Sequence, residues 1–190
     1  MKRVISLLMC IAVLLCSTMA FAEGAEKTYL GTIRMHNAFE LHCTLPEDYS
    51  VSDLSSEVEN GGFLSVIRSE DPAKPSMMLS IAFDELLAEV DRLNDLDEAA
   101  LAKIEQTFRA EDDVEISYME TSHGTKLMVV REVRDAVDFV DFYTIYKGYQ
   151  VEFVLVNGME VITPLTDEEI QQAVDFLSDL DFVPTEAEAD

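Results

Sequence analysis

Period-two alternation and β-branched runs mark eight strands: near Tyr29–Met35, Phe39–Thr44, Gly62–Arg68, Met77–Phe83, Val114–Met119, Lys126–Val133, Phe139–Tyr146 and Tyr149–Asn157. The pair Lys147-Gly148 joins the last two as a two-residue hairpin, with Gly supplying the positive φ that such turns need. That turn sets a register. Tyr146 faces Tyr149, Thr144 faces Val151, Phe142 faces Phe153 and Val140 faces Leu155, giving one apolar side. The other side is mixed: Ile145 with Gln150, Tyr143 with Glu152, Asp141 with Val154, and Phe139 with Val156. On this register Tyr143, Asp141, Glu152 and Gln150 form a candidate contact surface, because tyrosines anchor many interfaces.

Helical spacing appears in three places. The segment Asp167–Leu180 carries Ile170, Ala173, Val174, Leu177 and Leu180 on one stripe, and Thr166 with Glu169 forms a capping box at its start. A second helix is expected over Asp97–Ala110, with Leu101, Ile104 and Phe108 turned inward. Between them and the preceding strand, Asp84–Leu93 places Leu86, Leu87, Val90 and Leu93 at helical intervals, either as its own helix or joined to the next. Strands, helices, a four-strand meander and a closing helix give an α+β fold: an antiparallel sheet with packed helices.

The first 22 residues have a different grammar. Lys2 and Arg3 precede an apolar stretch from Val4 to Leu15, and Ala20-Phe21-Ala22 completes the three-part pattern of a secretory signal peptide cut between Ala22 and Glu23. A transmembrane helix needs about 20 apolar residues, more than this run supplies. Lipid anchoring at Cys16 is disfavoured because Leu15 stands where a lipobox wants a small residue. The chain is thus expected to be exported, either secreted or held in an extracytoplasmic compartment, with no membrane span in its mature form. Residues 23–27 read as a flexible leader, 28–183 as one domain, and 184–190 as a frayed acidic tail.

Charge narrows the partners. Of 190 residues, 13 are Lys or Arg and 38 are Asp or Glu, for a net charge of −25. Removal of residues 1–22 takes away Lys2 and Arg3 and no acid, which makes it −27. Such a chain cannot neutralise phosphates, so nucleic acid is excluded, and anionic bilayers repel it. Cys10 and Cys16 leave with the signal, so Cys43 has no disulfide partner within the mature chain and reads as a small buried residue of a strand.

The layout is similar to a known one. An opening strand ends at Leu45-Pro46-Glu47-Asp48-Tyr49, and a strand pair and helical crossing follow. The meander turns at Ser122-His123-Gly124-Thr125-Lys126 and at Lys147-Gly148-Tyr149, and the closing helix starts Leu165-Thr166-Asp167-Glu168-Glu169. Together these features resemble the small exported bacterial domains of unknown function with a PsbP-like α/β/α sandwich. The resemblance spans nearly all of the mature chain and rests on layout and turn residues. Known members of that fold, among them an extrinsic photosystem II subunit and a Ran-GTPase-binding factor, are non-catalytic accessory or binding proteins. The resemblance implies such a role here, toward a protein partner or small ligand, and assigns no site residue.

Reactive chemistry has little to stand on. Nucleophilic catalysis needs a Ser or Cys with an oriented base; the histidines are His36, His42 and His123, and His42 points away from its neighbour Cys43 on any strand. His36 approaches Cys43 only across a first hairpin, which leaves a hydrolase using Cys43 or a histidine as a minor reading. No H-E-x-x-H, C-x-x-C, G-x-S-x-G or phosphate-binding glycine motif occurs, and no cofactor is expected. Calcium or another cation is the main alternative, through Glu111-Asp112-Asp113, the acids between Asp91 and Glu98, or Asp135, Asp138 and Asp141 around one turn; none has the spacing of an EF-hand loop.

Overall fold

The structure is a computed structural model and describes residues 27–34, 38–52, 56–58, 62–109, 114–134, 137–157 and 163–185. Among these residues eleven strands and two α-helices are formed: β1 Thr28–Ile33, β2 Phe39–Cys43, β3 Tyr49–Val51, β4 Ser56–Val58, β5 Gly62–Ser69, β6 Ser76–Phe83, α1 Glu98–Phe108, β7 Glu115–Glu120, β8 Lys126–Arg134, β9 Val137–Tyr146, β10 Tyr149–Val156, α2 Asp167–Asp179 and β11 Asp181–Pro184. An eight-stranded antiparallel sheet runs β3-β5-β6-β10-β9-β8-β7, with β4 also pairing β5. A smaller sheet runs β1-β2-β11. The fold is α+β, as the pattern requires.

The β9–β10 hairpin has the expected register at every pair, from Tyr149 opposite Tyr146 to Val156 opposite Phe139. Its turn residues both take positive φ, Lys147 at 47° and Gly148 at 82°, the backbone of a type I′ turn that matches strand twist. The apolar side joins Val140, Phe142, Val151, Phe153 and Leu155 to Leu79 and Ile81 of β6 in the main core. Two elements cover this face: α2, through Ala173, Val174 and Phe176, and the small sheet, through Leu30, Ile33, Phe39, Leu41 and Cys43. Phe176 stacks on Phe153 with centroids 4.8 Å apart, and Phe39 meets Tyr149 edge-on at 5.1 Å. Burying side chains of this size contributes about 1.5–3 kcal/mol each.

At one end of the same face a buried ion pair ties α2 to the meander. Asp138, 2% exposed, accepts from Arg131 Nε at 3.1 Å and Nη2 at 2.5 Å. Its Oδ2 also accepts the Leu165 N–H at 2.8 Å, and Arg131 Nη2 donates to the Leu165 carbonyl at 3.1 Å. The lead-in to α2 is therefore bonded through both of its backbone groups at Leu165. The helix then begins on the expected capping box, Thr166 Oγ1 accepting from Glu169 N and Glu169 Oε2 accepting from Thr166 N.

The opposite face carries a smaller core. Leu93, Met128, Val130, Tyr143 and Ile145 are buried there beneath Leu87, Val90, Leu101, Ile104 and Phe108. α1 is shorter than expected at both ends: Asp97 is its cap, accepting from Ala100 N, and Arg109 follows the last helical residue. With α2 and the small sheet on one side and α1 on the other, the large sheet is the middle of three layers.

The segment Asp84–Leu93 corrects the helical expectation. It forms a 3-10 turn at Glu85–Leu87, then extended chain, then a second 3-10 turn at Leu93–Asp95. The reason is competition for its backbone groups. The Val90 and Asp91 carbonyls accept from Gly148 and Lys147, and Asp84 N–H donates to the Gly148 carbonyl. Leu86, one of the four apolar positions, is 91% exposed. Gly148 is held by this docking as well as by its φ, because a Cβ there would lie 3.1 Å from Ala88 Cα.

Other boundaries also move. β1 ends at Ile33 and not near Met35, and β3, β4 and β11 are strands that the pattern does not predict. Pro184, expected to open the tail, is the last residue of β11, paired with Phe39, and Thr185 N–H donates to the Ala38 carbonyl at 3.0 Å. The signal segment with Ala20, Ala22 and Glu23, the cysteines Cys10 and Cys16, and the tail beyond Thr185 lie outside the described residues. Among the described residues no helix is long and apolar enough to cross a membrane.

Candidate functional site

Strand pairing lays out the α1 side of the sheet as rows. One row crosses Met78 of β6, Val154 of β10, Asp141 of β9, Val130 of β8 and Ile116 of β7. The next crosses Ser80, Glu152, Tyr143 and Met128. Asp141 is thus a carboxylate between two valines, with Phe139 and Tyr143 two residues away along its own strand. α1 crosses over β8 and β9, and its last turn brings Thr107 and Phe108 to this spot.

What results is a groove of about 340 Å³ whose lining includes Phe108, Val114, Val130, Phe139, Asp141 and Val154. Asp141 Oδ1 is shut off from solvent and has no hydrogen-bond partner. Burial, reinforced by the nearby Glu152 charge, pushes the Asp141 carboxyl up from 3.8 to about 7. Burial also raises Glu152. A carboxyl that is costly to ionise and lacks a donor, set in an apolar cleft, marks a functional-site candidate. Beyond the reach of α1 the face stays open: Met78 is 37% exposed, and Ala82 is exposed.

The four residues expected as a contact surface come together on this face, but not as an open patch. Tyr143 is corrected from a surface position to the second core: it is 3% exposed, and its ring meets Phe108 edge-on at 5.7 Å. Gln150 is occupied in donating to Asp84 Oδ2 at 2.5 Å. Asp141 and Glu152 keep their place at the groove. Sequence pattern gives Phe108 an inward helical position and Phe139 a place on the mixed face but assigns neither, nor Val114 or Val130, to a site, although an acid flanked across the hairpin by an apolar partner is a signal for one.

The remaining candidates are dispersed. Cys43 is completely buried, and burial, with the Asp179 charge behind it, pushes its thiol up to about 12; the thiolate that nucleophilic attack requires is suppressed. His42 lies on the other side of β2, with Nε2 3.1 Å from Glu40 Oε2 and its ring against Tyr29. His36 and Glu111-Asp112-Asp113 lie outside the described residues. Of the three acids placed around one turn, Asp135 is outside the described residues, and Asp138 and Asp141 point to opposite faces of β9, Asp138 being taken by Arg131. Asp95 and Asp97 cap backbone N–H groups. Among the described residues no three His, Cys, Asp or Glu side chains gather as a metal site. His123 lines a second cleft of about 270 Å³, with Arg92, Tyr146, Asp181 and Phe182.

No family model matches this sequence, and no curated protein matches it.

Proposed function

We propose that the chain is an exported, non-catalytic binding or accessory domain of the PsbP-like α/β/α type, and that it engages its ligand or partner at the Asp141 groove. The observation that carries this reading is the pairing of an unsatisfied, buried carboxylate oxygen with an apolar cleft of ligand size. The helices on both faces of the large sheet support the sandwich assignment. The suppressed thiol of Cys43 and its separation from His42 support a role without covalent chemistry. The three-part pattern of residues 1–22 supports export.

Backbone amide NMR of the protein in the presence of a chemically diverse small-molecule library tests the reading. Hits should shift signals of Thr107, Phe108, Val130, Phe139, Asp141 and Val154, and remain chemically unchanged on standing. Shifts centred on the His123 cleft, or new product signals, would contradict it.

A further inference from the structure

The groove is selective in what it can hold. Its walls are the aromatic rings of Phe108 and Phe139 and the aliphatic side chains of Val114, Val130 and Val154, and its polar focus is Asp141. Among the described residues, the charged or titratable groups near that focus are Glu152 of β10, one diagonal step away, Glu132 of β8 on the lining, and Tyr143 on the same strand. The α1 residues that close the groove, Thr107 and Phe108, bring no charge.

Three ligand classes fail against this lining. An anion meets carboxylates only. A neutral apolar molecule fills the walls and leaves Asp141 Oδ1 without a donor, at the cost that an unsatisfied buried acceptor carries. A calcium ion needs six to eight oxygens, and the lining is mostly carbon. An organic cation meets all the conditions at once. Its N–H groups supply the missing donor, rings favour a cation over their faces, and its hydrocarbon part covers the valines. The broad torsional well about the Asp Cβ–Cγ bond lets the carboxylate turn part-way, which brings its inward oxygen toward such a group. A charge of −25 draws cations toward the protein from a distance.

We propose that the Asp141 groove is a binding site for a small primary amine in its ammonium form, with an aryl or alkyl body lying against Phe108, Phe139 and the valines. The proposal rests on the reading of this groove as the binding site and adds the chemistry of the ligand. At about 340 Å³ the cavity is at the small end of ligand pockets and fits a single short amine.

Calorimetry with carboxyl-detected NMR, at physiological salt, tests it with four probes: 2-phenylethylammonium, hexylammonium, the neutral isostere 2-phenylethanol and calcium chloride. The ammonium probes should bind and move the Asp141 carboxyl signal, the alcohol should bind at least about tenfold more weakly, and calcium should leave the signal in place. Asp141→Asn should weaken the amines about tenfold or more, and Glu152→Gln less. For wild type, affinity should fall as pH drops from 8 to 5 and Asp141 takes up its proton, a readout independent of any variant's folding. Lys74→Gln, whose ammonium pairs with Asp48 and which is not part of the groove lining, should leave binding unchanged. Equal binding of alcohol and amine within the groove would overturn the ammonium assignment while leaving the binding site standing. Amines that bind elsewhere, fail to bind, or bind unchanged to a folded Asp141→Asn protein would overturn the proposal.

Discussion

Asp141 occupies a position that strand chemistry would fill with valine. Its cross-strand neighbours are Val130 and Val154, and its Oδ1 finds no donor. The folded state holds the Asp141 proton more tightly than the unfolded chain does, because its value rises from 3.8 to about 7. The associated stability is therefore complete below about pH 4 and is lost as pH climbs through 7. A change of that size is on the order of 4 kcal/mol. Replacing Asp141 with Asn removes this loss: urea denaturation at pH 5 and pH 8 should show wild type weakening relative to Asp141→Asn by about 3 kcal/mol, the part of the change that falls between pH 5 and 7. Equal pH profiles for the two proteins would mean that Asp141 ionises as freely as a surface acid. Asp138, only three residues away, makes the contrasting case. It faces the other side of β9, has Arg131 and the Leu165 N–H as partners, and is structural. Asp138→Ala leaves the Leu165 amide without its acceptor and the half-buried guanidinium without its partner, and chemical denaturation should report a loss of about 1–3 kcal/mol.

At the scale of elements, what could be read in advance depended on whether an element's partners were local. The β9–β10 register followed from the two-residue turn and the alternation on either side, since a slip of one residue would exchange the apolar and mixed faces. α2 followed from Thr166, Glu169 and its stripe; Thr166→Ala should cost about 1 kcal/mol, read as a lower thermal midpoint with the ends of α2 losing amide protection first. The stretch from Asp84 to Leu93 was misleading because its carbonyls bond to Lys147 and Gly148, more than fifty residues later. β11 was hidden for a related reason. Four residues ending in proline have little strand character alone, and Asp181–Pro184 extends only because β2 offers it an edge. The candidate site was half legible. Register put Asp141, Tyr143, Gln150 and Glu152 on one face, but a register does not reveal which helix lies over that face. Tyr143 therefore looked exposed until α1 was in place, and the groove beside Phe108 was not visible.

The whole molecule is a sheet with unequal sides. Its main face is sealed by α2 and the small sheet around Phe142, Phe153 and Phe176, whereas, among the described residues, its second face is covered by α1 and the segment from Leu87 to Leu96 and leaves Met78 partly exposed. The acid lies where cover gives way to opening, a position that suits ligand entry better than the closed core does. The proposed export carries a further expectation: Edman or mass-spectrometric sequencing of the protein recovered from outside the cytoplasm should begin at Glu23, and an intact Met1 or a lipid on Cys16 would refute the signal assignment. The claim on which the binding site depends is that Asp141 is a partly buried acid whose inward oxygen has no partner in the free protein. Its carboxyl carbon, followed by NMR from pH 3 to pH 9 without any ligand, should titrate with a midpoint near 7; a midpoint near the ordinary 3.8 would show an acid already satisfied by water or protein, and the groove would lose its reason to attract a cation.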